Sequence, residues 1–200
     1  MTTQLRQIFD HSVAWLNQHD VYYGHGVAEA EDEVLLLLMH VMQVDFDALN
    51  QMSDAPVSEE QQKLVAKLLA KRVTERKPMA YIVGFSVFAG LTFAIDERAL
   101  IPRSPFMELI DRGFAPWVDM SRVTRVLDMC TGSGCIGLAV AHHFPHAVVD
   151  LVDINQEALE LAAINRQQLA LAEHTQCIQS DLFTALNDQQ YDLQEVRRND

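Results

Sequence analysis

Basic residues and cysteines are scarce in this sequence, and both shortages narrow the class of protein. Its 15 lysines and arginines face 28 aspartates and glutamates, so the formal net charge at pH 7 is -13. Such a chain has no basic stripe to neutralise phosphates, which argues against direct nucleic-acid binding but leaves room for a basic protein partner. The three cysteines, Cys130, Cys135 and Cys177, fit neither a disulfide framework nor the Cys-x-x-Cys spacing of a metal site. We therefore expect reduced thiols, a cytoplasmic location and no metal centre.

Long apolar segments are also missing. The longest apolar run, at 34–39, is far too short to span a bilayer, and the first residues lack the apolar core of a secretion signal. We therefore predict no membrane partner. Apolar residues still make up 49% of the 200 residues, which suffices for one large domain or for an ordinary domain with a smaller one.

The first part of the chain has the pattern of a small helical domain, which we place at residues 1–77. Apolar residues recur at helical spacing over 4–18 and 28–44, and 45–57 is interpreted as a polar connection. Ser58 is typical of a helix start, and that helix is predicted to run to about Arg76. The eight histidines of the chain are scattered, and none is assigned a role.

Residues 78–103 are predicted to form a β-hairpin linker. The stretch 81–95 is aromatic and β-branched and favours two strands joined around Ala89 and Gly90. Ser104 is expected to cap a following helix, with a proline in its first turn. Arg103 lies between two prolines, which favours a loop of fixed shape, although a solvated surface charge is the alternative.

From residue 123 onward, strands and helices alternate. Strands are expected at 123–128, 147–152 and 175–179, with helices at 134–144 and 156–171. This alternation predicts an α/β fold with a parallel sheet over residues 104–200. Ligands bind at the carboxyl ends of such strands, where aspartates follow all three strands of this chain.

The stretch from 126 to 144 has the order strand, glycine turn, helix, which forms a cradle for a nucleotide cofactor. Gly132, Gly134 and Gly137 also match the dinucleotide fingerprint, so a nicotinamide-dependent oxidoreductase is one interpretation. Asp128 at the strand end would repel a pyrophosphate but suits a cation, which favours S-adenosylmethionine. An ordinary strand–turn–helix, with Asp128 as a loop cap, is the third interpretation.

Two further aspartates suit other parts of such a cofactor. Asp153 follows Gly132 by 21 residues, close to the spacing at which a carboxylate meets ribose hydroxyls. It could instead cap the next helix, although Asn155 is the nearer cap. Asp181 precedes Leu182 and Phe183 and could meet the adenine amino group with the apolar pair against the ring; a turn residue is the alternative.

Four runs in this order and spacing resemble the protein glutamine methyltransferases. They are Pro-Met-Ala-Tyr-Ile-Val-Gly at 78–84, Phe-Ala-Gly-Leu-Thr-Phe at 88–93, Leu-Ile-Pro-Arg-Ser-Pro at 100–105 and Leu-Asp-Met-Cys-Thr-Gly-Ser-Gly-Cys-Ile at 127–136. The resemblance implies a class I S-adenosylmethionine-dependent methyltransferase, Rossmann-like, with a helical substrate-recognition domain and a hairpin in front. It implies methyl transfer to a glutamine side-chain amide. The loop at 101–110 is similar to the branch that modifies a large-subunit ribosomal protein, rather than to the release-factor branch.

The resemblance also assigns cofactor contacts. Asp153 would hold the ribose, Asp181 would lie near adenine, and Arg103 would shape or contact the loop beside the cofactor. The residues expected around the methionine part are Asp128, Thr131, Gly132, Ser133 and Gly134.

One motif of this family is absent. The family continues its fourth strand into Asn-Pro-Pro-Tyr, whereas this sequence continues from Leu193 as Gln-Glu-Val-Arg-Arg-Asn-Asp, with Arg197 about where the asparagine belongs. We interpret this as a frameshift, a truncated gene or an artificially shortened chain, and expect no catalytic residue and no methyl transfer. A parallel sheet incomplete after its third or fourth strand would leave an open edge, lower the stability or promote self-association. A non-catalytic partner-binding module and a nucleic-acid methyltransferase are the remaining alternatives.

Overall fold

The computed structural model describes residues 3–24, 27–186 and 189–196. Its contacts divide the chain into two compact units, Met1–Gly84 and Phe85–Asp200. The two strands of the predicted hairpin therefore fall in the second unit. In the described part of the chain, every helix is too short or too polar to cross a lipid bilayer.

The first unit consists of helices. They are α1 (Leu5–Asn17), α2 (Ala30–Met42), α3 (Phe46–Gln51), α4 (Glu59–Thr74) and α5 (Met79–Val83). The three longer helices confirm the periodicity of the sequence. The Ser58 cap is also confirmed, since its hydroxyl accepts a hydrogen bond from the Gln61 N–H at 3.2 Å and the Gln61 side chain accepts one from the Ser58 N–H at 2.9 Å.

Two short helices were missed by the sequence analysis. Helix α3 lies in the stretch interpreted as a connection, and it starts at Asp45, whose carboxylate accepts the Ala48 N–H at 2.8 Å. Helix α5 replaces the start of the predicted first strand. Pro78 precedes it, and Gly84 ends it in the left-handed conformation, with φ of 84°. A single turn between a proline and a glycine is too short to show helical periodicity.

In the described residues from Phe85 onward, the second unit has six strands and three α-helices. The strands are β1 (Phe85–Phe88), β2 (Leu91–Ala94), β3 (Arg125–Met129), β4 (Val148–Asp153), β5 (Thr175–Gln179) and β6 (Leu193–Val196). The helices are α6 (Phe106–Asp111), α7 (Cys135–His143) and α8 (Gln156–Gln168). Strands β1 and β2 form the predicted antiparallel hairpin, with Phe88 opposite Leu91 across the turn.

The other four strands form one parallel sheet in the order β5-β4-β3-β6. This confirms the predicted α/β fold and places β6, the expected fourth strand, beside β3. Since side chains alternate between faces, the sheet has two apolar layers. One layer contains Val126, Leu151 and residues of α7 and α8, while the other contains Leu127, Met129, Val152 and Leu186. Side chains at the carboxyl ends of β3, β4 and β5 therefore share one edge.

Candidate cofactor site

The loop between β3 and α7 has an unusual backbone. Cys130, Gly132 and Gly134 all have left-handed φ angles, of 59°, 58° and 81°. At Gly134 a Cβ atom would lie 2.9 Å from the end of the Leu138 side chain and 3.2 Å from Ala162, so glycine is favoured there by tight packing as well as by conformation. Cys130 adopts a conformation that non-glycine residues rarely adopt, a feature common in ligand-binding loops.

Asp128 lies beneath this loop and is 1% exposed. Its Oδ2 accepts the Thr131 hydroxyl at 2.6 Å and the Gly137 N–H at 2.8 Å. Gly137 is in the first turn of α7, so the carboxylate caps the positive end of that helix. A Cβ at Gly137 would overlap Leu151 and lie 2.8 Å from Asp128 Oδ2, so this glycine permits the close approach of helix and strand.

The capping interpretation of Asp128 is thus confirmed, but it uses only half of the carboxylate. Oδ1 has no hydrogen-bond partner, and the side chain makes no ion pair, within the described residues. A buried carboxylate without a cation is costly. The charge of Asp128 therefore favours a positively charged ligand at this edge.

Asp153 is half-buried at the end of β4 and contacts the same loop. Its Oδ2 accepts the Gly132 N–H at 2.9 Å, and its Oδ1 accepts the Asn155 N–H at 3.0 Å. Asn155 itself caps α8 by accepting the Glu157 N–H at 2.9 Å. Each oxygen of Asp153 still has a free lone pair, so the carboxylate can accept two hydroxyl donors of a diol.

Asp181 follows β5 at the same edge and is exposed. It makes no hydrogen bond to the other predicted site residues in the described ranges. Its loop is held by Ser180, whose hydroxyl donates to the Leu182 carbonyl at 2.7 Å and accepts the Ala185 N–H at 2.9 Å. Leu182 and Phe183 are about half exposed, at 53% and 52%. They offer an apolar surface that a planar ring could cover.

Hydrogen bonds connect five of the predicted residues directly: Asp128 with Thr131, Thr131 with Gly134, and Gly132 with Asp153. Thr131 and Ser133 are buried, so a ligand at this edge meets the main chain of the loop more readily than their side chains. A Cβ at Gly132 would have only the Ala99 methyl within contact, at 3.7 Å. Arg103 is exposed.

Three further residues near the predicted site were not singled out by the sequence analysis. Ile154 is 63% exposed beside Asp153, Glu195 is 7% exposed opposite Asp128 in the sheet register, and Asn165 is completely buried. Asn165 continues the apolar stripe of Ala158, Leu161 and Ala162 in α8, and a polar residue on such a stripe could have signalled its role. For Glu195 the signal is its position two residues after Leu193, which places both side chains on the same face of the last strand. Arg197 lies outside the described residues.

Two family models match the chain. Residues 23–84 match the PrmC N-terminal domain, and residues 111–194 match the methyltransferase small domain. Both matches agree with the division into a helical unit and an α/β unit.

Curated relatives cover most of the chain. A ribosomal protein uL3 glutamine methyltransferase of Xanthomonas campestris is 45% identical over 88% of this chain and 57% of its own length. Its counterpart in Bordetella pertussis is 42% identical over 94% of this chain and 64% of its own. The counterpart in Francisella tularensis is 40% identical over 94% of this chain and 60% of its own length. The chain thus spans 57% to 64% of the length of these relatives.

Among solved structures, the N-terminal domain of human METTL16 in complex with SAH matches with a TM-score of 0.44 at 16% identity, over 82% of this chain and 63% of that chain. This similarity is too weak to bear on function.

The parallel sheet, the glycine loop capped by Asp128 and the match to the methyltransferase small domain define a class I methyltransferase fold. With a PrmC N-terminal domain in front, and with its similarity to the uL3 enzymes over most of its residues, the chain belongs to the protein glutamine methyltransferase family.

Proposed function

We propose that this chain binds S-adenosylmethionine as part of an enzyme that methylates a glutamine side chain of a large-subunit ribosomal protein. The relatives named uL3 glutamine methyltransferases support the substrate, and the net charge of -13 is compatible with a basic partner. The observation that supports the cofactor best is the Gly132–Asp153 hydrogen bond of 2.9 Å, which holds a carboxylate with free acceptor capacity beside the glycine loop.

Each predicted residue has a role in this proposal. Asp153 accepts the ribose hydroxyls, and the negative charge of Asp128 favours the cationic end of the ligand. Asp181 takes the adenine amino group, while Leu182 and Phe183 cover the ring. Main-chain groups at Thr131, Gly132, Ser133 and Gly134 surround the methionine part, and Arg103 belongs to the neighbouring loop. When bound, S-adenosylmethionine supplies an electrophilic methyl group on its sulfonium.

The helical unit is proposed to hold the protein substrate. A cavity of about 240 Å³ lies in this unit, lined mainly by apolar side chains of α1, α2 and α3. Among them are Leu5, Phe9, Leu35 and Leu38, with Arg6 at the same cavity. An apolar side chain of a bound protein could enter it.

We further propose that the 200 residues alone bind cofactor without transferring methyl. An amide nitrogen is a poor nucleophile, and it needs groups that orient it towards the methyl. The sequence contains no Asn-Pro-Pro-Tyr, and β6 has the charged residue Glu195 in its buried layer. Binding of the ribosomal protein without turnover is the corresponding second function. Strand β6 has no outer neighbour in the described residues, which supports self-association through that edge.

Calorimetric titration of the purified chain tests the cofactor assignment. We expect S-adenosylhomocysteine to bind and NAD to give no heat. Asp153→Ala should weaken binding at least tenfold, whereas Asp54→Ala, an exposed site in the helical unit, should not change it. NAD binding more tightly would favour the oxidoreductase interpretation instead.

Methyl transfer is tested separately, with S-adenosylmethionine labelled on its methyl group and the large-subunit protein as acceptor. We expect the acceptor to co-sediment with the chain but to remain unlabelled. Label on a glutamine would refute the inactivity of these 200 residues.

A further inference from the structure

The side-chain amide of Asn165 makes three hydrogen bonds to main-chain groups of the second unit. It lies in α8 with 0% exposure. Its Nδ2 donates to the carbonyl oxygens of Ala94, at 3.0 Å, and Ser133, at 2.9 Å. Its Oδ1 accepts the Ala94 N–H at 2.6 Å. The amide therefore uses both donors and its acceptor on main-chain groups.

These bonds connect three separate parts of the fold. Ala94 is the last residue of β2, and Asn165 pairs with both its N–H and its C=O, as a neighbouring strand would. Ser133 belongs to the glycine loop and directly precedes Gly134, the N-cap residue of α7. One side chain from α8 thus joins the hairpin to the loop.

The bond to Ser133 acts on one half of the loop. The first half is held from β4, by the Thr131 N–H to the Val152 carbonyl at 2.9 Å and by the Gly132–Asp153 bond. In the second half, the hydroxyl of Ser133 is buried without a partner in the described residues. The peptide between Ser133 and Gly134 is held at both ends, since its N–H donates to the Thr131 carbonyl at 3.0 Å and its carbonyl oxygen accepts the Asn165 amide. Asn165 is thus the side chain that ties this peptide to the rest of the fold.

We propose that Asn165 is a positioning residue for the cofactor loop, which sets the affinity for the methionine part of the ligand. This inference rests on the proposed S-adenosylmethionine site. The ribose meets Asp153, whereas the methionine part meets the main chain of the loop, whose second half Asn165 holds. Loss of the amide leaves the Ser133 carbonyl and both Ala94 groups without their partner, so this half of the loop moves while the Asp153 side stays in place.

The test compares two ligands and two variants. Asn165→Ala removes all three hydrogen bonds. The control, Leu161→Ala, makes a cavity at a residue of the same helix that is 1% exposed and whose side chain is apolar, so no hydrogen bond to the loop is lost. We expect Asn165→Ala to weaken S-adenosylhomocysteine binding at least tenfold and adenosine binding less than threefold. Leu161→Ala should change neither by more than about twofold at temperatures where it is folded. Equal losses for both ligands, or equal losses in both variants, would overturn the proposal.

Amide hydrogen exchange provides a readout that needs no ligand. Asn165→Ala should speed the exchange of the Ser133 and Gly134 amides at least tenfold, and Leu161→Ala should not do so selectively. Unchanged exchange at these two amides would contradict the positioning role. If the wild-type chain binds neither ligand but the exchange result holds, the proposed function fails while the role of Asn165 in the loop stands.

A second variant covers the case in which Asn165→Ala does not fold. Asn165→Asp keeps the size of the side chain and the acceptor for the Ala94 N–H, but it cannot donate to Ser133 when ionised. For this variant too, we expect S-adenosylhomocysteine binding to weaken at least tenfold and adenosine binding less than threefold. Wild-type affinity for S-adenosylhomocysteine in this variant would overturn the proposal.

Discussion

Two central strands of the sheet bury an aspartate each, and the two aspartates are stabilised in different ways. Asp128 on β3 and Asp150 on β4 are both 1% exposed. The register pairs Asp128 with Leu151 and Leu127 with Asp150, so the two carboxylates point to opposite faces. The same residue type at similar depth therefore allows a direct comparison.

Asp150 is neutralised by its neighbours. Its Oδ2 accepts hydrogen bonds from the Arg125 guanidinium and from the Tyr191 hydroxyl, both at 2.8 Å. Gln189 Oε1 lies 2.6 Å from Arg125 Nη2 and 2.9 Å from the Tyr191 hydroxyl. Because Tyr191 lies two residues before β6, this cluster ties the start of that strand to β3 and β4.

Asp128, by contrast, is held by a hydroxyl and a main-chain N–H, with no cation beside it among the residues that the structure describes. Burial of a charge is normally offset by a cation, as at Asp150 or at the Glu33–Arg72 pair of the helical unit, where the atoms lie 2.6 Å apart. The comparison indicates that a buried carboxylate that stabilises the fold, such as Asp150, is paired with an arginine of the same chain. At the proposed cofactor edge the charge of Asp128 remains available for a ligand.

The largest effect is expected from Asp150→Ala, which removes the shared acceptor of Arg125 and Tyr191. The free energy of unfolding should fall by about 2 kcal/mol, less than for a fully buried pair because the Arg125 side chain is 37% exposed. Urea denaturation measures this loss. Asp150→Asn, which keeps an oxygen acceptor, should lose about half as much. Affinity for S-adenosylhomocysteine should stay within about twofold, and a tenfold loss would erase the contrast with Asp128.

Asp128→Asn should show the reverse balance. The amide oxygen can still accept the Gly137 N–H. The free energy of unfolding should therefore change by about 1 kcal/mol at most, mainly because the interaction of the charge with the helix dipole is lost. Removal of the charge should weaken S-adenosylhomocysteine about tenfold, measured by calorimetry, which corresponds to about 1.4 kcal/mol. Asp192→Asn is the matched control, since Asp192 also accepts main-chain N–H groups, of Thr124 and Arg125, at the other end of β3. Equal affinity losses in both variants would refute a specific role for Asp128.

The smallest effect concerns pH. Burial, and then the hydrogen bond to the Asp150 carboxylate, raise the pKa of Tyr191 from 10.0 to about 12. The folded state therefore keeps this proton at pH values where the unfolded state loses it, so stability is complete below pH 10 and declines as the pH rises towards 12. Tyr191→Phe should make this alkaline decline shallower in denaturant titrations. Some slope should remain, because burial also raises the pKa of Tyr23. An identical slope in the variant would show that Tyr191 does not contribute.

Much of the second unit could be predicted because its signals are local. The glycines at 132 and 134 favour the left-handed backbone found there, and the alternation of strand and helix segments predicts the parallel sheet that is observed. Asp153 was placed near the loop from its distance in sequence alone, and the hydrogen bond to Gly132 agrees with that placement. The domain limits and the ligand contacts themselves remain predictions.

The features that could not be predicted depend on contacts between distant residues. Asn165 lies 71 residues from Ala94 and 32 from Ser133, and Arg72 lies 39 from Glu33. The local sequence patterns of α8 and α4 do not indicate which distant residues Asn165 and Arg72 contact. The prediction for Met79–Val83 was wrong for a different reason. Several of these residues have high strand propensity, so a strand was predicted, but in the structure they form a helical turn between a proline and a glycine.

Local sequence alone decided the order of helices and strands, the left-handed turns and the Ser58 cap, because each depends on residues within a few positions of one another. The tertiary structure decided which aspartate is paired with a cation. Arg125 reaches Asp150 because β3 and β4 are neighbours in the sheet. In the described part of the chain Asp128 has no such cation, because its face of the sheet meets the start of α7, where a glycine brings a main-chain N–H to the carboxylate. The unpaired charge at the proposed cofactor edge is thus a consequence of packing.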